Sequence, residues 1–408
     1  MVTKIWPNEN PHSFFTQIIA EAIAEEASDI HITPQKDLIL IKFRRAWELV
    51  NIYELTKEFY SQIVNIIKTN SMIWQKSDGD PQDGKIHLKV NSEEKKLWIN
   101  LRISILPSLF GENVVIRILV EDTNKLDIEK LWFVWKNLED LKSTKDLMNG
   151  LVLVAWSTWA GKTTTIYSLL AMFDPANKSI HTIEDPIEYQ IDGYVQSQIK
   201  YDGSEKEYNQ KFNKRIKWLL RQDPDIIMVG ELREQESASL CLEAATTWQI
   251  VFGSIHTNSA LWVLARLRQL GVKPYLISAW LKYIVYQKLV KRVCPHCAVK
   301  KDMTYNDIFK SDLNRLVTLP WVENWQLLLS SANSDGCDKC KNWYNGVTLI
   351  TEVIKVDEKL SQLIFEDKST KEIKEYLISK NHIWIFEDAL LKSINWLVDM
   401  NEVFNLKN

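Results

Sequence analysis

Apolar residues recur with helical spacing near the start of the chain, where Phe14, Phe15, Ile18, Ile19, Ala22 and Ile23 mark one face of a helix beginning near residue 12. By residue 31 the pattern has turned extended, through SDIHITP. Alternating segments follow at 38–43, 86–90, 97–105 and 114–120, with a helical stretch at about 56–69 between them. Asp83-Gly84, just ahead of one of these strands, reads as a tight turn. Residues 1–122 are therefore expected to form a small α+β domain, with the polar segment EDTNK (121–125) as a linker.

From 126 to 290 the pattern changes to apolar strands alternating with helices. GLVLVA (150–155), KSIHTI (178–183), IIMV (226–229) and IVFGSI (250–255) are continuous or nearly continuous apolar runs. Such runs suit strands of a parallel sheet covered on both faces. Two further regions are expected, a cysteine-bearing module over 291–345 and a helical region over 346–408, the latter including an amphipathic helix across 387–400. The fold class is α/β, with a mostly parallel core between a small α+β domain and a zinc-knuckle and helical C-terminal region.

Composition changes this picture in one respect. The 408 residues are 46% hydrophobic and 25% charged, the balance of a soluble globular chain. No run approaches the ~20 apolar residues that span a bilayer, and the N-terminus lacks the apolar stretch of a signal peptide. A net charge of −3 gives no reason to expect nonspecific nucleic-acid binding, and no specific nucleic-acid partner is expected. The anomaly is 17 Trp against 12 Gly, where ordinary chains carry about 7% Gly.

The strand at 150–155 runs into Trp156-Ser157-Thr158-Trp159-Ala160-Gly161-Lys162-Thr163-Thr164 and then an apolar helix. This is the phosphate-loop pattern G-x-x-x-x-G-K-[ST], with Trp156 in place of the first Gly. Successive N–H groups from Ser157, Thr158, Ala160, Gly161 and Thr164 and the helix N-terminus supply positive potential for ATP phosphates. Lys162 is expected to reach the β- and γ-phosphates, and the Thr163 hydroxyl to hold Mg²⁺. The two tryptophans conflict with this chemistry. An indole at 159 would crowd the phosphate oxygens, so either the loop is inactive or these letters stand for other residues.

Phosphoryl transfer also needs a group to orient water and neutralise charge. TIEDPIEY (182–189) places Glu184, Asp185 and Glu188 at a strand's C-terminal end, and VGELRE (229–234) places Glu231 directly after an apolar strand with Arg233 just beyond. A third strand ends in His256. Ligands of open parallel sheets bind at such ends. The plainer alternatives are solvated loop carboxylates and a structural histidine. Cys294-Pro-His-Cys297 and Cys337-Asp-Lys-Cys340 form two C-x-x-C knuckles. Together they suit a closed, structural Zn²⁺ site in a reducing, cytoplasmic setting, with a redox dithiol or an unmetallated pair as the alternatives. The basic residues Lys288, Lys291, Arg292, Lys300 and Lys301 read first as a solvated face.

Taken in order, ASDIHITP (27–34), PQDGKI (81–86), LRISILPSLFGENVVIRIL (101–119), the phosphate loop, TIEDPIEY, LLRQDPDIIMVGELRE (219–234), TTWQIVFGSIHTN (246–258), LVKRVCPHC (289–297) and GCDKC (336–340) resemble the secretion ATPases of type II secretion and type IV pilus assembly. The likeness covers nearly the whole chain from about residue 20. It implies a RecA-like core and a ring-shaped homohexamer with nucleotide near the subunit boundaries. It further implies an inner-membrane platform protein as partner and a peripheral position at the inner face of the cell membrane. In these terms TIEDPIEY is the family's Asp box with Glu184 and Glu188, Glu231 belongs to an atypical Walker B, and His256 to the His box. Arg102 and Arg117 match N-terminal-domain arginines that act on the γ-phosphate as arginine fingers do. The tetracysteine pattern favours assembly or secretion over retraction, with a competence-type DNA-uptake motor as a further member of the superfamily.

The chain departs from the pattern where Thr247-Trp248-Gln249 replaces Thr-Gly-His and Lys217 replaces an arginine. The extra N-terminal domain of many members is not expected ahead of SDIH, which weakens docking through that domain. Trp156, Trp159, Trp248 and Trp343 stand where the family carries Gly, with Trp47, Trp132, Trp262 and Trp396 as further cases. Reading every Trp as Gly would bring glycine to about 7% of the chain. The expectation is that UGA codons, read as Gly in the source organism, have been rendered here as Trp. If the tryptophans are genuine, a catalytically inactive nucleotide-binding scaffold follows.

Overall fold

The computed structural model describes residues 3–4, 10–45, 48–73, 79–91, 96–121, 126–156, 161–199, 204–302, 328–340 and 343–406. They fall into two compact units, Met1–Asp122 and Thr123–Asn408. Among the described residues no helix is long and apolar enough to cross a membrane.

In the first unit, β1 (Thr3–Lys4), β2 (Asp29–Pro34), β3 (Ile39–Arg45), β4 (Glu48–Leu55), β5 (Gln82–Asn91), β6 (Lys96–Ser108) and β7 (Gly111–Glu121) form one sheet in the order β1-β4-β3-β2-β7-β6-β5. Helices α1 (Pro11–Ala24) and α2 (Lys57–Asn70) share its apolar core. Pro11 suits the first turn of α1, and the Asn10 side chain caps it by accepting from the His12 N–H at 2.9 Å. Alternation then sorts the strands: Ile30, Ile41, Ile103 and Ile116 face the core with Phe14, Ile18, Phe59 and Ile63. Asp83-Gly84 is not the expected turn. Both residues are paired within β5, opposite Ser104 and Ile103. A Cβ at Gly84 would lie 2.6 Å from Ile73 and 2.8 Å from Ser71, so this glycine serves close packing of the strand.

In the second unit, β8 (Gly150–Trp156), β9 (Ile180–Glu184), β10 (Val195–Gln198), β11 (Ile226–Val229), β12 (Ile250–His256), β13 (Leu281–Val293) and β16 (Tyr344–Lys355) take the order β10-β9-β11-β12-β8-β13-β16. Every neighbouring pair is parallel except β13 with β16. Successive residues of β8 feed two different cores, Leu151 and Leu153 on one face, Val152 and Val154 on the other. That two-sided burial is why the strand is continuously apolar. Helices α3 (Trp135–Lys142), α4 (Lys162–Leu170), α5 (Glu205–Leu219), α6 (Gln235–Thr246), α7 (Ala260–Gln269) and α8 (Pro274–Trp280) accompany the sheet. A two-stranded sheet, β14 (Val299–Asp302) with β15 (Leu328–Ser331), precedes α9 (Glu358–Phe365), α10 (Thr370–Ser379), α11 (Ile385–Ile394) and α12 (Met400–Asn405).

β13 runs through the boundary expected at 290/291, and β16 through that expected at 345/346. The C-terminal helices are tied to the sheet by buried charge. Asp388 pairs with Lys392 at 2.7 Å, Asp388 accepts from the Thr351 N–H at 2.9 Å, and Lys392 donates to the Leu349 carbonyl at 2.7 Å. Such a pair adds little net stability, but either charge left alone underground is costly.

The helix expected across 387–400 ends instead at Ile394. Trp396 adopts φ 62°, and the Leu397 N–H bonds back to the Lys392 carbonyl at 2.9 Å. This is the Schellman stop, in which the residue at the position of Trp396 is usually glycine. Trp248 does the same after α6, at φ 74°. Trp132 (φ 59°) and Trp343 (φ 72°) are also left-handed. Four of the nine described non-glycine residues with positive φ are thus tryptophan, in a region that bulky L-residues avoid. Trp248 is 70% exposed and the other three 44–49%, so none is a core side chain whose burial would offset the strain. Trp156 and Trp262 do not have positive φ, while Trp47 and Trp159 lie outside the described residues. Replacing Trp132 and Trp248 together by glycine is expected to raise unfolding stability by about 1–2 kcal/mol, left-handed strain relieved less the added entropy of the unfolded chain. A shift of the urea midpoint to higher concentration checks it; an unchanged or lower midpoint removes the backbone argument for glycine.

Candidate nucleotide site and a four-cysteine centre

Three central strands end side by side. β8 leads toward the phosphate loop, whose residues 157–160 lie outside the described residues together with the expected contacts of Ser157, Thr158 and Ala160. The chain resumes at Gly161, which takes φ 63° as the residue before α4. Lys162, Thr163 and Thr164 then form the first turn of α4, with no acidic residue to offset its N-terminal field. β12 ends at His256, opposite Trp156 in the ladder. β11 ends one residue before Gly230-Glu231.

These ends bring three of the expected residues together. Glu231 accepts a hydrogen bond from Arg233 Nε at 2.7 Å, and its other oxygen lies 3.4 Å from His256 Nε2. The His256 ring is 4.5 Å from the Trp156 indole, and Lys162 Nζ sits 4.2 Å over the same indole. Burial lowers the His256 pKa below its ordinary value; Glu231 opposes this, and Lys162, Arg233 and Arg266 reinforce it. The shift favours the neutral imidazole.

Glu184 is placed differently. It ends β9, is 2% exposed, and one of its oxygens accepts from Tyr167 and from Thr182, both at 2.6 Å. Burial raises its pKa, with the Thr182 and Tyr167 hydrogen bonds opposing and the nearby Glu188 adding to the rise. Gln196 on β10 donates to Tyr167 Oη at 2.7 Å and to the Tyr189 carbonyl at 2.8 Å, and Tyr189 Oη lies 3.0 Å from the Thr164 hydroxyl. The Asp box is thus joined to the helix of the phosphate loop through Tyr167, Tyr189 and Gln196. Sequence reasoning missed all three, since nothing in their spacing announces a bond between residues 17 or 29 positions apart. Glu188 lies half-buried in the segment after β9. Lys217 donates to Glu236 at 2.6 Å, which ties it to α6.

Arg102 and Arg117 belong to the first unit, directly opposite each other on β6 and β7. Arg117 Nε donates to Asp29 Oδ1 at 3.1 Å.

The four knuckle cysteines converge, with all four sulfurs within 4.8 Å of one another. Cys294–Cys337, Cys297–Cys340 and Cys337–Cys340 each stand 3.7 Å apart. Thiolates about 2.3 Å from a tetrahedral zinc stand about 3.8 Å from one another, so the spacing fits the metal. None is in a disulfide. The Cys337 N–H approaches Cys340 Sγ at 3.2 Å. Cys241 is instead fully buried in the core, its thiol pushed up to about 12 by burial. Lys300 is not part of a solvated face. It donates to the Leu328 and Ser393 carbonyls at 3.2 and 3.1 Å, and burial lowers its pKa to about 8.

The sequence profile of the type II/IV secretion system protein family matches residues 9–405. The type IV pilus assembly ATPase PilB of Thermus thermophilus is 33% identical over 391 residues, covering 96% of this chain and 42% of that protein. The type II secretion system protein E of Dickeya dadantii is 32% identical over 387 residues, covering 95% of this chain and 73% of that one. Among solved structures, the Legionella pneumophila ATPase DotB shares the fold with a TM-score of 0.69 at 17% identity, covering 100% and 99% of the two chains. The pilus retraction motor PilT, solved with bound ADP, does so with a TM-score of 0.59 at 21% identity, covering 95% of each. On sequence and on fold, the chain belongs to the type II/IV secretion system protein family, a family of secretion and pilus-assembly ATPases.

Proposed function

We propose that this chain is an ATP-hydrolysing motor that works as a homohexamer, at the inner face of the cell membrane and against an inner-membrane platform protein, in type IV pilus assembly or type II secretion. The observation that carries the reading is the meeting of Lys162, Glu231 and His256 at the ends of three adjacent parallel strands. Lys162 and the α4 N-terminus receive the β- and γ-phosphates. Thr163 would hold Mg²⁺, which supplies charge neutralisation. Glu231 orients the attacking water, and neutral His256 senses the γ-phosphate. Glu184, locked by Tyr167 and Thr182, holds the Asp box against the loop helix, with Glu188 beside it. Arg102 and Arg117 neutralise charge developing on the transferred phosphate.

The test is a chain with glycine at 156 and 159, assayed for oligomeric state and Mg²⁺-dependent phosphate release. No Mg²⁺-dependent turnover as a hexamer rejects the motor. A second reading, an inactive nucleotide-binding scaffold, draws on Trp156 itself, whose buried indole holds the Lys162 ammonium over its face. Codons decide between them. UGA at 156 and 159 supports the motor, and UGG supports the scaffold.

Cys294, Cys297, Cys337 and Cys340 are proposed to hold one structural Zn²⁺ per chain. Cys294→Ser is expected to take zinc from about one equivalent to none by metal analysis, as three sulfurs no longer close the site. Stoichiometric zinc retained in that variant refutes the assignment.

A further inference from the structure

Three hydrogen bonds from one amide govern the Asp box. Gln196 on β10 donates from Nε2 to the Tyr189 carbonyl at 2.8 Å and to Tyr167 Oη at 2.7 Å, while its Oε1 accepts from the Ile191 N–H at 2.9 Å. The chemistry of these partners fixes which way the amide faces. A backbone carbonyl only accepts and a backbone N–H only donates, so the nitrogen lies toward Tyr189 and the oxygen toward Ile191. Turned over, the amide would oppose carbonyl to carbonyl at Tyr189 and N–H to N–H at Ile191. Gln196 is therefore a fixed donor toward Tyr167.

That direction passes along the chain of bonds. Tyr167 Oη carries one proton and already accepts the Gln196 N–H, so its own proton is left for its other neighbour. That neighbour is Glu184, whose Oε1 receives it at 2.6 Å, beside the Thr182 hydroxyl at the same distance. Burial raises the Tyr167 pKa and the charge of Glu184 raises it further, so the phenol keeps its proton and acts as a donor. Burial also raises the Glu184 pKa, and the nearby Glu188 adds to the rise, whereas hydrogen bonds from Thr182, Tyr167 and Gln196 oppose it. The other surroundings of Glu184 are not ionisable: Gly230 lies against its Cα, and α5 packs with Ile183 on the opposite face of β9.

We infer that Gln196 and Tyr167 are positioning residues for Glu184, a one-way relay that aims a donated hydrogen bond at Oε1 and so holds the Asp-box side chain as a carboxylate. The inference rests on the proposed place of Glu184 in the nucleotide site. No proton is transferred along the relay. Each bond keeps its donor, and the order of donors decides which form of Glu184 is favoured. The direction is set from backbone groups at 189 and 191, so the Asp-box segment fixes the charge of its own glutamate.

The experiment uses the full-length chain with glycine at 156 and 159 and follows two readouts against pH. One is the infrared band of protonated carboxyl groups, with the Glu184 share assigned by its loss in Glu184→Gln; the other is kcat for ATP. Tyr167→Phe removes the donated hydrogen bond and keeps the ring. It is expected to raise the Glu184 pKa by about one to two pH units, the scale of one hydrogen bond to a charged group. A donor to the charged form lowers an acid's pKa, so its loss raises it. The acid limb of kcat should move to higher pH by the same amount, with the lost activity returning as pH rises. Gln196→Met, which no longer holds Tyr167 as a donor, should shift both readouts in the same direction; Tyr167→Phe carries the test if that variant does not fold. An unmoved carboxyl titration in either folded variant overturns the inference, including the case of a kcat lowered equally at every pH, which marks a merely structural role. The infrared titration needs no turnover, so a chain that hydrolyses no ATP rejects the motor while the band still judges the relay. A band that shifts while the limb of an active chain stays in place upholds the relay and overturns the place of Glu184 in the chemistry.

Discussion

Glycine at positions 156 and 159 is expected to raise Mg²⁺-dependent ATP turnover at least about 100-fold over the chain with tryptophan, the scale set by losing a single preorganised donor around a developing oxyanion. Trp156 is 3% exposed, wedged at the end of β8 between His256 and Lys162. An ammonium over an indole face gains about 0.5–2 kcal/mol, more as it is desolvated. Lys162 therefore has a competing partner in the place where it should find phosphate. Removing the indole takes away that competing partner and opens the volume beside His256. Glycine also lets the loop backbone turn its N–H groups inward, as a phosphate cradle requires. Steady-state phosphate release, with and without EDTA, measures the difference. Equal rates in the two chains would show that the indole obstructs nothing.

In the glycine chain, Glu231→Gln is expected to reduce kcat by about 10²- to 10⁴-fold while nucleotide affinity stays within about threefold. Glu231 is 18% exposed, so water can reach it, and it follows a buried strand that fixes its backbone. One oxygen is held in an ion pair by Arg233 and the other lies beside His256, which aims the carboxylate. Amide replacement keeps the shape and removes the charge that polarises water. Nucleotide affinity is carried by Lys162 and the α4 N-terminus and should be little affected. A kcat within tenfold of the parent would move the water-orienting role away from this residue.

Much of this site could be read from the sequence because its parts are strand ends. A strand buried on both faces must be apolar throughout, so GLVLVA, IIMV and IVFGSI declare themselves, and the polar residues that follow are marked by contrast. The cysteines are legible for a similar reason, as their spacing alone makes the knuckles. β13 and β16 were not legible. LKYIVYQKLVKRV and YNGVTLITEVIK mix charge into buried strands, with Gln287, Thr351 and Glu352 all 3% exposed or less. Thr351 is tolerated because it bonds Asp388, 37 residues on, and Glu352 because it lies 3.3 Å from His382. No local pattern encodes such a partner. The stop after α11 was hidden differently: the letters predict an amphipathic continuation, while Trp396 carries a glycine's backbone. The SDIH segment showed a strand but not the Asp29–Arg117 bond, which depends on register between segments 88 residues apart.

β13 has a mechanical meaning. At Gln287 it lies opposite Trp156 on the strand that leads to the phosphate loop, and at its far end Val293 is followed directly by Cys294. Seven residues of one laddered strand thus connect the nucleotide end of the sheet to the cysteine centre, with β16 along its other edge. No loop lies between them to absorb displacement. A bulge in the pairing with β16 between Lys291 and Val293 sits just ahead of Cys294, so a tilt of the cysteine module reaches an inner strand of the sheet through that one irregularity.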